Sequence, residues 1–279
     1  MKNLSETIAL VTGASRGIGL GIAHELGLAG ATVYVTGRSR RGQPTVDDMP
    51  GTIDDTADLV TASGGMGIAV PCDHTDPVAV EALAARVRSQ HDRLDLLVHA
   101  AWGGYEQYDP SMFAKPVEDQ PLWRWQRMMA TGVTAQYDTT RALASLLLAA
   151  PRGLVVHISA GDNGKFLHDV QYDLAKAAVD RLGFALAERW KKERATAVVI
   201  HPGFTRTERV IAAAPAEALA FTHSPRYVGR AVVALAQDPE VKRHGGRIAK
   251  VADLGREYDF ADVDGTSPAP FVIPDTLDG

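Results

Sequence analysis

The sequence predicts an α/β fold in one domain, with a seven-stranded, mostly parallel sheet that carries helices on both faces. Three observations predict this class. Short apolar runs alternate with helix-period segments along almost the whole chain, a glycine-rich turn follows the first run, and no linker-like stretch divides the 279 residues. Strands covered on both faces are continuous runs of Val, Ile and Leu. The predicted strands are residues 8–11, 32–35, 67–71, 94–100, 154–158, 196–200 and 247–251.

Helical segments lie between these runs. In residues 77–91, Asp76-Pro77 is a helix start signal, and apolar residues then recur on one face. Alternating strands and helices form parallel crossovers, and such sheets bind ligands at the carboxyl ends of their strands. The residues that follow each strand are therefore the candidates for function.

Size and composition restrict the possible functions. With 46% hydrophobic and 23% charged residues, we assign residues 1–254 to one globular domain and residues 255–279 to an irregular surface tail. A net charge of -5 without a dominant basic face argues against a nucleic-acid partner. Cys72 is the single cysteine, and neither a secretory signal nor an apolar stretch of about 20 residues is present, so we expect a cytoplasmic protein without a membrane partner.

A glycine-rich turn, Thr12-Gly-Ala-Ser-Arg-Gly-Ile-Gly19, joins the first strand to a helix-like segment. Glycine lets the backbone approach a phosphate, and the free N–H groups at a helix N-terminus bind the anion. Three glycines alone are weak evidence, but the flanking strands favour a dinucleotide site in a doubly wound, Rossmann-type domain. The predicted contacts in this turn are Gly13, Ser15, Arg16, Gly17, Ile18 and Gly19.

The end of the second strand indicates which dinucleotide is bound. A free ribose 2′-hydroxyl is usually held by an acidic residue there, and a 2′-phosphate by an arginine. The strand is followed by Arg38-Ser-Arg-Arg41 without an acid, and Arg16 could face the same phosphate. A solvated basic loop is the alternative interpretation. The sequence predicts NADP(H) rather than NAD(H).

A candidate catalytic group follows the fifth strand. Ser159 comes directly after it, and Tyr172 and Lys176 lie one turn apart at the start of a long helix. A phenol has a pKa near ~10, and a nearby ammonium is expected to lower it toward neutrality. A Tyr-x-x-x-Lys pair is common on helix surfaces, so its place after this strand is what favours catalysis.

The chain resembles the short-chain dehydrogenase/reductase family over nearly its whole length. The resemblance is carried by the glycine-rich turn, Cys72-Asp73, Tyr172-Asp-Leu-Ala-Lys176 and Pro202-Gly-Phe-Thr-Arg-Thr207, and the C-terminal run 228–236 with 262–265 is similar to the branch of dehydrogenase/reductase member 1. It implies Tyr172 as general acid/base, Lys176 on the nicotinamide ribose and Asp73 on the adenine. The implied cofactor contacts also include Ala100, Ala101, Pro202, Gly203, Thr205 and Thr207. Members often form a homodimer or homotetramer, which we expect here.

Three positions depart from the family's pattern. The usual Asn-Asn-Ala-Gly is His99-Ala-Ala-Trp102, a relay asparagine falls on Gly132, and a second serine is replaced by Ala160, which leaves Ser159 as the candidate. The first hypothesis is an NADPH-dependent carbonyl reductase or alcohol dehydrogenase. The altered positions motivate the alternative of an NADP-binding regulatory protein without turnover, and a pure assembly subunit is a third hypothesis.

Two segments are candidates for binding a hydrophobic carbonyl substrate. Residues 102–125 contain six aromatic residues that could form a wall or lid, and residues 204–222 occupy the place of a mobile substrate loop. Packing of an insertion onto the sheet is the alternative, and we favour it for Trp123 and Trp125. The other four aromatic residues are Trp102, Tyr105, Tyr108 and Phe113.

Several polar residues near the strand ends are expected to be structural. His99, His157, His168 and His201 lack the close spacing of zinc ligands, so we predict hydrogen-bonded core or rim histidines and no metal site. Asp162 and Asp169 are predicted to be solvated loop carboxylates.

Overall fold

The computed structural model describes residues 3–43, 49–106, 111–112, 115–162 and 164–273. All six strand pairings are parallel, in the order β3-β2-β1-β4-β5-β6-β7, so the predicted α/β sheet is confirmed and is entirely parallel. The strands are β1 Ile8–Thr12, β2 Thr32–Gly37, β3 Met66–Pro71, β4 Leu96–His99, β5 Leu154–Ile158, β6 Thr196–His201 and β7 Ile248–Lys250.

Ten α-helices in the described part of the chain connect and cover these strands. A π-helical segment, Ala130–Thr134, joins the fourth α-helix to the fifth. The α-helices are α1 Gly17–Leu28, α2 Ile53–Ala62, α3 Pro77–Gln90, α4 Leu122–Met129, α5 Ala135–Ala149, α6 Val170–Arg189, α7 Glu208–Ala213, α8 Ala216–Leu219, α9 Pro225–Gln237 and α10 Val251–Tyr258. Within the described ranges no helix has the length and apolarity needed to cross a membrane.

The sheet separates two apolar layers, and alternate residues of each strand enter different layers. In β1, Ala9 and Val11 pack with α1 and α9, whereas Leu10 packs with α3 and α5 on the opposite face. This arrangement explains why the strands read as continuous apolar runs. The strand order reverses between β1 and β4, so their carboxyl ends open a crevice at the switch point.

The C-terminal tail differs from the prediction. α10 continues past residue 254 to Tyr258, and the chain then returns to the carboxyl end of the sheet. Ile273 is 4% exposed, its N–H donates to the Asp162 carboxylate at 3.0 Å, and its carbonyl accepts from Lys165. The Asp-, Pro- and Gly-rich composition predicted an irregular surface segment because it gives no sign of these long-range contacts.

Candidate active site

A cleft of about 850 Å³ lies at the carboxyl ends of the strands, around the point where the strand order reverses. Every residue that the sequence assigned to catalysis or cofactor binding, from Gly13 to Thr207, lines this cleft. The structure therefore brings the glycine-rich turn, Arg38, Asp73, Ser159 and the Tyr172-Lys176 pair into one site.

Close backbone packing fixes the glycine-rich turn. Gly13 has φ +64°, and a Cβ atom there would lie 2.5 Å from the Cα atom of Ala101. The N–H groups of Ala100 and Ala101 donate to the Thr12 hydroxyl at 3.2 Å. A Cβ atom at Gly19 would lie 2.4 Å from the Gly13 carbonyl oxygen. Only glycine fits at positions 13 and 19, which is the reason for this sequence pattern.

The N-terminus of α1 already holds an anionic group from the same chain. The Gly17 N–H donates to the Glu208 carboxylate, with distances of 3.0 and 3.3 Å to its two oxygens. Thr207 caps the start of α7 and so presents Glu208 to this position. Sequence reasoning missed Glu208, although its place directly after Thr207, a predicted cofactor contact, was a usable signal.

Ser159 and Lys176 connect the end of β5 to α6. The Ser159 hydroxyl donates to the backbone carbonyl of Lys176 at 3.2 Å, and the Lys176 ammonium donates to the Ile158 carbonyl at 3.4 Å. Both side chains are buried, at 2% and 6% exposure. Lys176, the second member of the predicted i, i+4 pair, thus faces the end of the strand and not solvent.

A buried ion pair fixes the N-terminus of α6. The Asp169 carboxylate accepts a hydrogen bond from the Tyr172 N–H at 2.7 Å and another from the Arg124 guanidinium at 2.7 Å. Arg124 and Asp169 are both about 1% exposed, so the prediction of a solvated Asp169 is wrong. An aspartate three residues before Tyr172 is a recognisable helix cap, but nothing local predicts its partner on α4.

The prediction of a solvated Asp162 is also wrong. Asp162 is 4% exposed, and its carboxylate accepts from the Lys250 ammonium at 2.6 Å and from the Ile273 N–H. The Lys250 side chain also donates to the carbonyl of Phe271. These contacts hold Phe271 and Ile273 against the cleft, so the end of the described chain forms part of its wall.

The pKa of Tyr172 moves in the direction opposite to the prediction. Burial raises it to about 12, while a hydrogen bond with the Tyr105 hydroxyl opposes the shift. Burial also lowers the pKa of Lys176 to about 7, so the amine is only partly charged at neutral pH. Its Nζ atom lies 5.5 Å from the centroid of the Tyr172 ring and 3.7 Å from that of Trp102. For Tyr172, desolvation raises the pKa by more than the nearby lysine was expected to lower it.

The aromatic residues after β4 divide into two groups. Trp102 and Tyr105 line the cleft, and their rings lie 5.5 and 6.3 Å from that of Tyr172. Trp123 and Trp125 are half-buried on α4 and are not among the cleft-lining residues, which agrees with the packing interpretation for these two. Tyr108 and Phe113, the other two aromatic residues of the predicted wall, lie outside the described residues. In the second predicted loop, Phe204 and Val210 line the cleft.

The predicted core histidines are hydrogen-bonded. His99 contacts Thr140 at 2.8 Å, His157 contacts Gln136 at 2.6 Å, and His201 contacts Asp180 at 3.1 Å. His168 has φ 59° and lies at the cleft. Among the described residues, no group of three His, Cys, Asp or Glu side chains is arranged to hold a metal ion.

His74, another buried histidine, lies near His99 and His157, and sequence reasoning missed it. His74 contacts the hydroxyl groups of Thr36 and Thr139 at 2.8 and 3.0 Å. The rings of His99 and His157 stack at 5.0 Å. Burial lowers the pKa of His74 to about 4 and that of His157 to about 3, and the pKa of His99 falls well below its usual value for the same reason. All three histidines are therefore neutral in the folded protein at pH 7.

Comparisons with known proteins agree with this architecture. The family model described as short chain dehydrogenase matches residues 7–218. Dehydrogenase/reductase SDR family member 1 of Mus musculus is 33% identical over 272 residues, covering 92% of this chain and 83% of the mouse protein. A short chain dehydrogenase from Mycobacterium thermoresistibile has the same fold, with a TM-score of 0.82 and 21% identity over 99% of both chains.

RhlG from Pseudomonas aeruginosa, whose structure is an NADP active-site complex, matches with a TM-score of 0.73 and 26% identity over 89% of this chain and 95% of RhlG. The family match covers most of the cleft-lining residues, including the glycine-rich turn and the Tyr172-Lys176 pair. The chain therefore belongs to the short-chain dehydrogenase/reductase family, in the branch of dehydrogenase/reductase member 1.

Proposed function

We propose that this protein is an NADP(H)-dependent oxidoreductase that transfers a hydride between the nicotinamide and a carbonyl or alcohol group of a hydrophobic substrate. The observation that carries the proposal is that Ser159, Tyr172 and Lys176 line the same cleft as the glycine-rich turn. A hydride carrier anchored by that turn would share the cleft with side chains that can exchange a proton with a substrate oxygen.

The residues of the cleft fit a dinucleotide. The Gly17 N–H already binds a carboxylate from Glu208, so this position accepts anions and suits the pyrophosphate. Lys176 would hold the nicotinamide ribose, Asp73 the adenine, and residues 202–207 the nicotinamide side. The NADP bound by RhlG, at 26% identity, supports this assignment.

Arg38 is the best candidate for a 2′-phosphate. It follows β2 directly, its side chain is half-exposed, and among the described residues the carboxylate that pairs with it, on Asp73, is 3.9 Å away. Arg41, in contrast, is paired with two aspartates at 2.6 and 2.7 Å. Arg16 donates to the Ser39 hydroxyl and to the Pro50 carbonyl, both at 3.0 Å, and so braces the loop around the same position.

Tyr172 supplies the proton in this proposal. A phenol with a pKa near 12 is protonated at neutral pH and can donate to a carbonyl oxygen, which favours carbonyl reduction. The Ser159 hydroxyl can rotate from the Lys176 carbonyl to the same oxygen and stabilise its developing charge. The bound nicotinamide would supply or accept the hydride and, when oxidised, add a positive charge beside the phenol.

The apolar walls of the cleft support a hydrophobic substrate. Trp102 and Tyr105 come from the segment after β4, and Phe271 and Ile273 come from the end of the described chain. The apolar or ring-bearing part of a carbonyl substrate would pack against these side chains and displace water from them. The expected cytoplasmic location and homodimer or homotetramer remain predictions.

The cofactor assignment and the reaction are tested together by following NADPH and NADH consumption with a panel of ketones, aldehydes and quinones. We expect at least one carbonyl to be reduced, with NADPH preferred. Arg38→Gln should lower kcat/KM for NADPH by about tenfold and leave NADH unaffected, because it removes a charge-assisted contact to the 2′-phosphate. Arg40→Gln, in the same loop and 3.7 Å from Asp54, is the matched control. Equal or better use of NADH by the wild type would reject the assignment.

Glu208→Gln is expected to tighten NADPH binding by about threefold to tenfold. The cofactor pyrophosphate and the Glu208 carboxylate need the same N–H group, and the neutral amide is both a weaker competitor and free of charge repulsion. The dissociation constant can be measured by titration calorimetry, with the exposed Glu217→Gln of α8 as control. An unchanged or weaker affinity of the Glu208 variant alone would show that this carboxylate does not compete with the cofactor.

A further inference from the structure

Lys176 and Trp102 are in direct contact inside the cleft. The Lys176 Nζ atom lies 3.7 Å from the centroid of the Trp102 ring and donates to the Ile158 carbonyl at 3.4 Å. With Lys176 only 6% exposed, the amine has exchanged most of its water for one carbonyl and one aromatic face. A cation over an indole face is stabilised by the negative charge density of the ring, and more so where water is excluded.

Gly132 provides the space for this arrangement. It is buried in the π-helical segment between α4 and α5, and a Cβ atom there would lie 2.4 Å from Cζ3 and 2.8 Å from Cε3 of Trp102. The neighbouring Gly103 is equally confined, since a Cβ atom there would lie 2.7 Å from the Thr131 hydroxyl. The indole is thus clamped between the α4–α5 junction and Lys176. Trp102 and Gly132, two positions at which the sequence departs from the family's pattern, therefore pack directly against each other.

We propose that Trp102 is a positioning residue that holds the Lys176 amine in place with its indole face, and that position 132 is glycine because this ring occupies the space beside it. The inference rests on the proposed function, in which Lys176 holds the nicotinamide ribose. Burial lowers the pKa of Lys176, and the carboxylate of Asp180 on the same helix opposes that shift. The aromatic face acts in the same direction as Asp180, which His201 contacts at 3.1 Å.

Two substitutions of Trp102 distinguish a role of its aromatic face from a role of its side-chain volume alone. Trp102→Leu should weaken NADPH binding and lower kcat by about tenfold, whereas Trp102→Phe should retain most of both because it keeps a ring. Since the effect acts through Lys176, the fall in kcat should be the same for small and large carbonyl substrates. A residue that only contacts the substrate would instead change KM, and by an amount that depends on substrate size. Equal losses in the two variants would overturn the proposal.

The packed pair is tested by a double-mutant cycle. Gly132→Ala alone should weaken NADPH binding, because its methyl group displaces the indole. In the Trp102→Leu background the same change should cost little more, since the ring is no longer there to be displaced. Additive losses would show that Gly132 and Trp102 act independently and would contradict the proposed pairing.

A spectroscopic measurement tests the contact without substrate. Subtracting the emission of Trp102→Phe from that of the wild type isolates the Trp102 signal from those of Trp123, Trp125 and Trp190. At about pH 6.5, below the lowered pKa of Lys176, Lys176→Met should shift this difference spectrum because it removes a charge from the indole face. The same subtraction is made in the Lys176→Met background, and an unchanged difference spectrum would overturn the contact. A shift together with no turnover of any carbonyl would refute the proposed function and leave the contact intact.

Discussion

Tyr172→Phe is expected to lower carbonyl turnover by about 10²- to 10⁴-fold, the range typical for loss of a general acid. The phenol is the proton donor in the proposed reaction, and its pKa near 12 keeps it protonated at neutral pH. Phenylalanine retains the ring contacts with Trp102 and Tyr105, so the cleft should keep its shape. Initial rates of NADPH consumption at saturating substrate measure the effect.

The control for this experiment is Tyr137→Phe, which removes the same hydroxyl from a tyrosine that is 53% exposed on α5. Its rate should equal that of the wild type. The affinity for NADPH should change by no more than a few fold in either variant, because the phosphates and the ribose keep their contacts. Tight NADPH binding without any Tyr172-dependent turnover would favour the alternative hypothesis of a regulatory protein.

The fold was predictable because local patterns determine most of it. β5 was predicted at residues 154–158 and is observed as Leu154–Ile158, since a strand covered on both faces is a nearly continuous apolar run, interrupted here only by His157. The end of the chain was not predictable in the same way. The buried position of Ile273 depends on Asp162, a residue 111 positions away, and no local pattern records that contact.

In the candidate site, too, features set by local sequence were predictable and those set by long-range contacts were not. The glycine-rich turn and the Tyr172-Lys176 pair were found because their chemistry needs a fixed spacing along the chain. Arg124 and Glu208 were missed because each acts on a distant element, on α6 and on the N-terminus of α1 respectively. The expected direction of the Tyr172 pKa was wrong because spacing gives the neighbours of a group but not how deeply they are buried.

Acid should unfold this protein well before its carboxylates titrate. His74, His99 and His157 have pKa values far below those of unfolded histidine because burial disfavours their charged forms. Between the unfolded pKa of about 6.5 and the lower folded values, only the unfolded chain binds these protons, so stability falls as the pH falls. Each group contributes about 1.4 kcal/mol per pH unit, and the three together up to about 4 kcal/mol per pH unit.

The free energy of unfolding from urea denaturation between pH 7.5 and 4.5 measures this slope. Because typical stabilities are about 5–15 kcal/mol, we expect unfolding without denaturant near pH 5. His157→Gln should reduce the slope by about 1.4 kcal/mol per pH unit, even though losing the contact with Gln136 lowers the stability at pH 7.5. His91→Gln, at the end of α3 and outside this group, should leave the slope unchanged.

The pH range of the stability loss distinguishes the histidines from the other titratable groups. Lys176, with a pKa lowered to about 7, removes stability only as the pH falls from its unfolded value of about 10.5 to 7. Carboxylates whose pKa is lowered, such as Asp162 beside Lys250, remove stability only below about pH 4. The Nε2 atom of His157 has no hydrogen-bond partner among the described residues, so a proton added there would be buried without an acceptor. A flat stability curve from pH 6.5 to 5 would mean that these imidazoles accept protons while the protein stays folded, which their burial in the core argues against.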